Sequence, residues 1–349
     1  MKSRSVTQHH QRPEIRPLIE RDGQPRWGRI TPLPSEINWR DFDWRTPMGG
    51  RRTEFSKRFG FKHFEFFGVQ TRDMLFGLGL VKLGLVNLAF AYVFDRSSKT
   101  LSEWSRMMPL DRGLEADTRP LGCTRYEQGD ARITSTRDKQ SHTLEFDIGG
   151  HRRGRVVIDT FERDVVGLCT PIANTGFAYA QKTAGMPVEG FINWDGKVYP
   201  VKKDSAGVCH DWTAGYLRRE TCWRWVCATG VLGSGEPFCL NASCGVNETS
   251  WSENGYWIDG IFRPIGLVQF HYDKNRPDSA PWTITSSDGR LELRFKPAGA
   301  KKEHQNRLIM ASRFTQCFGD FSGHLVEENG DIIDLSGLSG WCEDHYAKW

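Results

Sequence analysis

Five two-residue turns punctuate the chain, at Gly149-Gly150, Asp195-Gly196, Asp259-Gly260, Asp288-Gly289 and Asn329-Gly330. Such pairs suit type I′ hairpin turns, because both central residues must adopt positive φ. Each is flanked by strand-like sequence. After Asp288-Gly289, Leu291, Leu293 and Phe295 fall on one face of a strand, and Arg290, Glu292 and Arg294 on the other. That is a half-buried strand with one wet side. Long helical periodicity is nearly absent. Successive antiparallel hairpins make a meander, and over 349 residues a meander is expected to close into barrels that remove its edges. The fold class expected is all-β.

The run MLFGLGLVKLGLVNLAFAYVF, residues 74–94, is long enough to cross a bilayer as a helix. Lys82 sits near its centre, where a charge costs roughly 2.5–3.5 kcal/mol on insertion scales. Asn87 and three glycines weaken a helix further. Alternation through Phe76-Gly77-Leu78-Gly79-Leu80 instead fits curved strands, so two strands and no integral membrane segment are expected.

The formal net charge is +4 and the charges are interspersed, so no nucleic-acid partner is implied. Thirteen Trp and 21 Phe supply a large core. None of the nine cysteines forms a C-x-x-C pair, and the Cys222/Cys227 and Cys239/Cys244 spacings exceed those of zinc ribbons. Reduced, buried thiols in a cytoplasmic protein with no metal and no cofactor are the expectation. Residues 1–24 carry no apolar run of the signal-peptide kind and are expected to form a flexible arm. The Asn241 and Asn247 sequons are then chance matches. A first domain is expected over 25–168 and a second over 169–349, because residues 169–190 resemble a loop followed by a new first strand.

The stretch HDWTAGYLRRETCWRW, residues 210–225, poses a burial problem. Period-two alternation places Arg219, Thr221, Trp223 and Trp225 on one face. A buried guanidinium needs an acid partner, and the candidates are Asp211, Glu248 and Glu253. His210 and Asp211 are adjacent, so they point to opposite faces. By the same parity, at most one of Lys62 and Glu65 points inward.

These residues carry a resemblance. The lysine and glycine of QKTAGMPVEG, Asp211, Gly215, Arg219, Thr221, Trp223 and Trp225, the Leu240-Asn241 and Glu253-Asn254 pairs, Asp259-Gly260, WTITSSDGRLELRFKP, QCFGDFSGHLVEENG and the closing GWCEDHYAKW resemble the bacterial family called domain of unknown function 2804. FKHFEFFGV at 61–69 resembles that family's basic–aromatic–acidic strand. GVNETSW, residues 245–251, departs from it in being more polar and in carrying Glu248. The family is similar to calycin-like double barrels, among them AttH-like proteins, carotenoid 1,2-hydratases, tocopherol cyclases and lipocalin-type cyclases. The resemblance implies two antiparallel lipocalin-like barrels in tandem with a pocket for a hydrophobic small molecule. It supplies no reaction.

Each candidate residue has a functional and a structural role open to it. Arg219 either presents a guanidinium to a ligand or forms a register-fixing ion pair. Trp223 and Trp225 are either a stacking wall or core. Glu253, as a carboxylate in an apolar cavity, suits general acid catalysis, with Asp211 and Arg219 beside it; its alternative is to hold a turn with Asn254. Asn241 and Asn254 orient a polar ligand group or satisfy backbone, and Lys62 is a weaker ligand candidate. The function expected is binding of a hydrophobic small molecule, with or without acid-catalysed isomerisation, hydration or cyclisation. A non-catalytic carrier and an interaction protein with filled barrels are the alternatives.

Overall fold

The computed structural model describes residues 15–110, 112–173, 175–246, 251–307 and 310–349. It is all-β and antiparallel, with a single short α-helix, Glu54–Gly60, among the described residues. The Thr53 hydroxyl caps that helix by accepting from the Ser56 amide. No described helix is long and apolar enough to cross a membrane. Residues 74–94 fall in two strands, Met74–Lys82 and Val86–Asp95, as their glycine alternation predicts. All five two-residue turns lie between consecutive strands, and at Gly149-Gly150, Asp195-Gly196 and Asp259-Gly260 both residues have positive φ.

Hydrogen bonding arranges the strands in three sheets. The first runs, in spatial order, Gly28–Ile30, Val166–Ile172, Gly176–Ala184, Gly207–Gly215, Lys62–Gln70, Met74–Lys82, Val86–Asp95 and Thr100–Pro109. The second runs from Lys197–Val201 through Val188–Trp194, Arg152–Asp159, Ser141–Ile148, Ala131–Arg137 and Cys123–Gln128 to Leu114–Glu115. These two sheets enclose one core of inward residues, including Phe67, Phe76, Leu78, Ile133, Leu144 and Ile192. The third sheet begins at Glu220–Val231 and takes in the strands that follow it. It encloses a second core that includes Val226, Leu240, Trp282, Leu293 and Phe321. We call the first two sheets the first unit and the third sheet the second unit.

The change of sheet therefore falls at residues 216–219, not at the expected 168–169. The strand Val166–Ile172 runs through that position and forms a hairpin with Gly176–Ala184 in the same sheet. The turn-forming composition around Pro171 belongs to this hairpin rather than to a linker. Within the expected N-terminal arm, Leu18 and Ile19 are buried with Ile30, Ile37 and Phe42. Two apolar residues are enough to anchor residues that composition alone marks as loose.

Both units bury a second face as well, where they meet. Phe66, Tyr92, Phe94 and Cys209 on the outer face of the first sheet pack against Trp225, Trp257, Phe318 and Trp341 of the second unit. This aromatic seam explains Gly77 and Gly79. An added Cβ would lie 2.2 Å from the Tyr92 ring at Gly77 and 2.3 Å from the Phe90 ring at Gly79. Tyr92 cannot step aside, because its hydroxyl donates to Gln316 and accepts from Trp341 Nε1. Gly77→Ala is thus expected to destabilise the protein by about 1–3 kcal/mol through overpacking. Urea unfolding measures this, and an unchanged midpoint would refute the packing account.

Candidate active site at the seam between the two units

The strand Gly207–Gly215 separates two polar networks by alternation alone. Lys182 pairs across the sheet with Asp211, which in turn faces Phe66. These side chains point to the seam. Thr183, His210 and Phe67 pair in the same way and point into the first unit. His210 and Asp211 thus serve different surroundings.

At the seam, Lys182 Nζ donates to Asp211 Oδ2 at 2.5 Å and lies 3.2 Å from Glu253 Oε1. Lys182 and Asp211 come from the first unit, and Glu253 from the segment before the Gly255–Ile258 strand of the second. Lys182, Glu253, Asn241 and Asn254 are buried, while Asp211 is half-buried. Burial alone lowers a lysine, but the charges of Asp211 and Glu253 outweigh it and raise Lys182 above its ordinary value. That direction favours the ammonium form of Lys182, which suits a positioning role better than that of a base or nucleophile. Ser243 Oγ donates to Glu253 Oε1 at 3.0 Å, and Asn254 Oδ1 accepts from the Ser243 amide at 2.9 Å. Thr213 Oγ1 donates to Asp211 Oδ1 at 3.2 Å. Phe64, Thr213, Asp211 and Trp223 are all partly exposed and form the open edge of the seam.

Five of the sequence-derived candidates meet here: Asp211, Glu253, Asn241, Asn254 and Trp225. The structure corrects Arg219. It is exposed and precedes the Glu220–Val231 strand, so alternation does not apply to it. Its Nη1 donates to the Trp349 carbonyl at 3.1 Å. Both expected acid partners are held by Lys182 instead. Trp223 and Trp225 do share a face, but it is the seam face and not the interior of the second unit, which takes Val226 and Ala228. Trp225 Nε1 donates to Asn241 Oδ1, and Trp223 Nε1 to Glu343 Oε1, both at 2.8 Å. Lys62 donates to the carbonyls of Phe59 and Leu83. Burial, and next the nearby charge of Arg219, lowers it to about 8. Glu248 lies outside the described residues.

The inward network was missed. Glu65 Oε1 accepts from Ser135 Oγ at 2.5 Å and Arg137 Nη1 at 2.7 Å, with His210 Nε2 at 3.1 Å. His142 Nε2 lies 3.0 Å from Ser135 Oγ, and His63 is buried nearby against Trp212. The parity of FKHFEFFGV held the signal, since His63, Glu65 and Phe67 share one face. Glu65, His142 and His210 place one ligand atom each within 4.8 Å of one another. A divalent ion fits them poorly, because Arg137 already neutralises Glu65. Nor do the Nδ1 atoms of His142 and His210 have the hydrogen-bond partners that orient metal-bound histidines.

Fold and site together define a two-unit antiparallel β protein in which Lys182, Asp211 and Glu253 meet at an aromatic seam. Its sequence matches the family described as domain of unknown function (DUF2804) over residues 13–349, and the chain belongs to that family. No protein of curated function matches it. Among solved structures it is similar to an AttH-like protein from Nitrosomonas europaea, with 12% identity and a TM-score of 0.50, covering 82% of this chain and 91% of that one. It is more distantly similar to kievitone hydratase from Nectria haematococca, with 9% identity and a TM-score of 0.40, covering 82% and 88% respectively. The first similarity concerns the fold alone.

Two measurements check this description. Lys182→Met strands two carboxylates and is expected to cost about 3–5 kcal/mol, whereas Arg219→Met, at the surface, is expected to stay within about 0.5 kcal/mol. Equal effects in urea unfolding would contradict the assignment of partners. The second measurement concerns pH. Burial is the main cause that lowers His63, to about 4, and His142 and His210 in the same direction. Unfolded histidines titrate near 6.5. Below that pH the unfolded chain takes up protons that the folded chain refuses, so stability is complete above about pH 6.5 and declines as pH falls toward 4. Despite its burial, Glu65 is held well below its ordinary value, chiefly by Arg137, and adds loss at still lower pH. His63 alone contributes on the order of 3 kcal/mol, so His63→Phe should flatten the slope of urea midpoint against pH. A flat profile in the unaltered protein would exclude this account.

Proposed function

We propose that this protein binds an apolar small molecule at the open edge of the seam and converts it by proton transfer, as in isomerisation, hydration or cyclisation, with no cofactor taking part. The observation that carries this reading is the Lys182–Asp211–Glu253 trio. Apolar packing at such a seam is often at least as stable as a buried ion cluster, so a charged set drawn from both units points to chemistry. In this reading Phe64 and Trp223 supply the apolar walls. Asp211, the most accessible of the three, exchanges a proton with the substrate. In an isomerisation it takes a proton from one carbon and returns it to another; in the hydration of a polarised alkene it takes a proton from the attacking water and delivers it to the adjacent carbon. Lys182 and Thr213 fix its orientation. Arg219 has no part in the scheme.

We also propose that the two units derive from tandem lipocalin-type barrels. The second unit supports this by curling until the Val268–His271 strand approaches Pro237–Cys244. A reading without any ligand draws support from the interiors, which are filled by side chains in both units. An open depression of about 570 Å³ beside Lys82 and Arg119 is lined mainly by polar residues and lies away from the tryptophans.

Native mass spectrometry of protein purified from its own host, with oleate and all-trans-retinal titrations read by tryptophan quenching, separates the readings. The expected outcome is a retained small molecule and saturable quenching that Trp223→Phe weakens at least several-fold. Asp211→Asn should keep binding and lose turnover. A protein that carries nothing and shows no saturable quenching would leave the ligand-free reading.

A further inference from the structure

An exposed apolar ridge ringed by arginines runs beside the open edge of the seam, and we propose that it seats the protein on an anionic lipid bilayer. The ridge is built from separate parts of the chain. A bridge between Arg45 and Arg51 closes a hairpin that carries Met48 at its tip, 94% exposed. The helix that follows presents Phe55, 72% exposed, with its ring 4.5 Å from that of Phe59. The turn at Gly84 is packed against the Phe59 backbone, since a Cβ there would meet the Phe59 carbonyl at 2.4 Å. Leu85 and Leu110, both exposed, are joined by a backbone hydrogen bond of 2.8 Å. These contacts place Phe55, Leu85 and Leu110 at one end of the first unit, and the hairpin that carries Met48 leads directly into the helix of Phe55.

The charge around the ridge complements an anionic surface. Residues 40–62 hold seven Lys and Arg against three Asp and Glu. That surplus of four equals the formal net charge of the whole chain, so the remainder is balanced. The three acids are engaged locally: Asp43 with Arg45 at 2.8 Å, Glu54 with Lys57 at 3.4 Å, and Asp41 with Asn38 at 2.8 Å. Arg51, Arg52 and Arg58 are exposed and near Phe55 in sequence, with Arg51 3.9 Å from Asp43 and Arg52 5.0 Å over the Trp44 ring. Basic residues flanking exposed aromatic and aliphatic side chains are the composition of an interfacial membrane contact. An acidic protein surface would engage the arginines but leave Met48 and Phe55 in water.

Lys62 links this surface to the seam. Its ammonium holds the carbonyls of Phe59 and Leu83, and it opens the strand whose seam face carries Phe64 and Phe66. Docking would set the open edge beside the acyl region of a bilayer, a consequence that rests on the function proposed above; the docking itself rests only on the surface.

Co-sedimentation of the full chain with vesicles tests it, and no seam ligand is added, so the result is independent of whether the seam binds one. Pelleting is expected with mixed phosphatidylglycerol–phosphatidylcholine vesicles and not with pure phosphatidylcholine. Arg51→Ala with Arg52→Ala should weaken partitioning roughly five-fold for each arginine. Met48→Ser with Phe55→Ser should weaken it further at physiological salt, and the urea midpoint of each variant is read alongside, so that lost docking is separated from loss of the Arg52–Trp44 contact. Absence of pelleting with the anionic vesicles overturns the proposal. So does pelleting that the arginine variant loses and the Met48/Phe55 variant keeps, because that is charge attraction without a seated ridge.

Discussion

Lys182 sits where the two units meet, and much else depends on how it is neutralised. An ammonium out of water needs its counter-charges held close and in fixed directions. Asp211 comes from the neighbouring strand of the same sheet, and Glu253 reaches across from the other unit. Bringing Glu253 within 3.2 Å of that nitrogen fixes how the second unit lies on the first far more narrowly than apolar contact does. Tyr92, Trp225 and Trp341 pack in the same seam.

The two polar networks differ in balance. The inward one is closed: Glu65 and Arg137 cancel, and the three histidines are kept neutral by burial. The seam trio sets two carboxyl groups against one ammonium and reaches a partly exposed edge through Asp211. A neutral closed network serves a fold, whereas a charged one at an edge suits an exchange of protons with something from outside. The proposed proton exchange thus belongs to the seam, and the expected acid lability to the first unit.

Local pattern carried a good part of this into the sequence. The hairpin turns, the paired strands over 74–94 and the alternation after Asp288-Gly289 are short-range features, and each depends only on neighbouring residues. Alternation could sort Trp223 from Arg224 but could not say which side is interior, because both faces of Glu220–Val231 are covered along Trp225–Gly230. It failed for Arg219 because the strand starts one residue later. Lys182 gave no periodic signal at all, since every residue of Gly176–Ala184 is buried. Of the candidate site, the residues that converge were visible, but the cation that gathers them was recognisable only as part of a family resemblance.

The strand Gly207–Gly215 is a party wall between two chemistries. His210 belongs to the room on one side and Asp211 to the room on the other, and one peptide bond separates them. Adding or deleting a single residue upstream within this strand would exchange their surroundings, sending a carboxylate into the histidine cluster and an imidazole toward Lys182. An inserted residue is therefore expected to be tolerated at loop tips such as Gly149-Gly150 and Asn329-Gly330, and not within this strand. Whatever alters the tilt of its backbone is felt in both rooms at once.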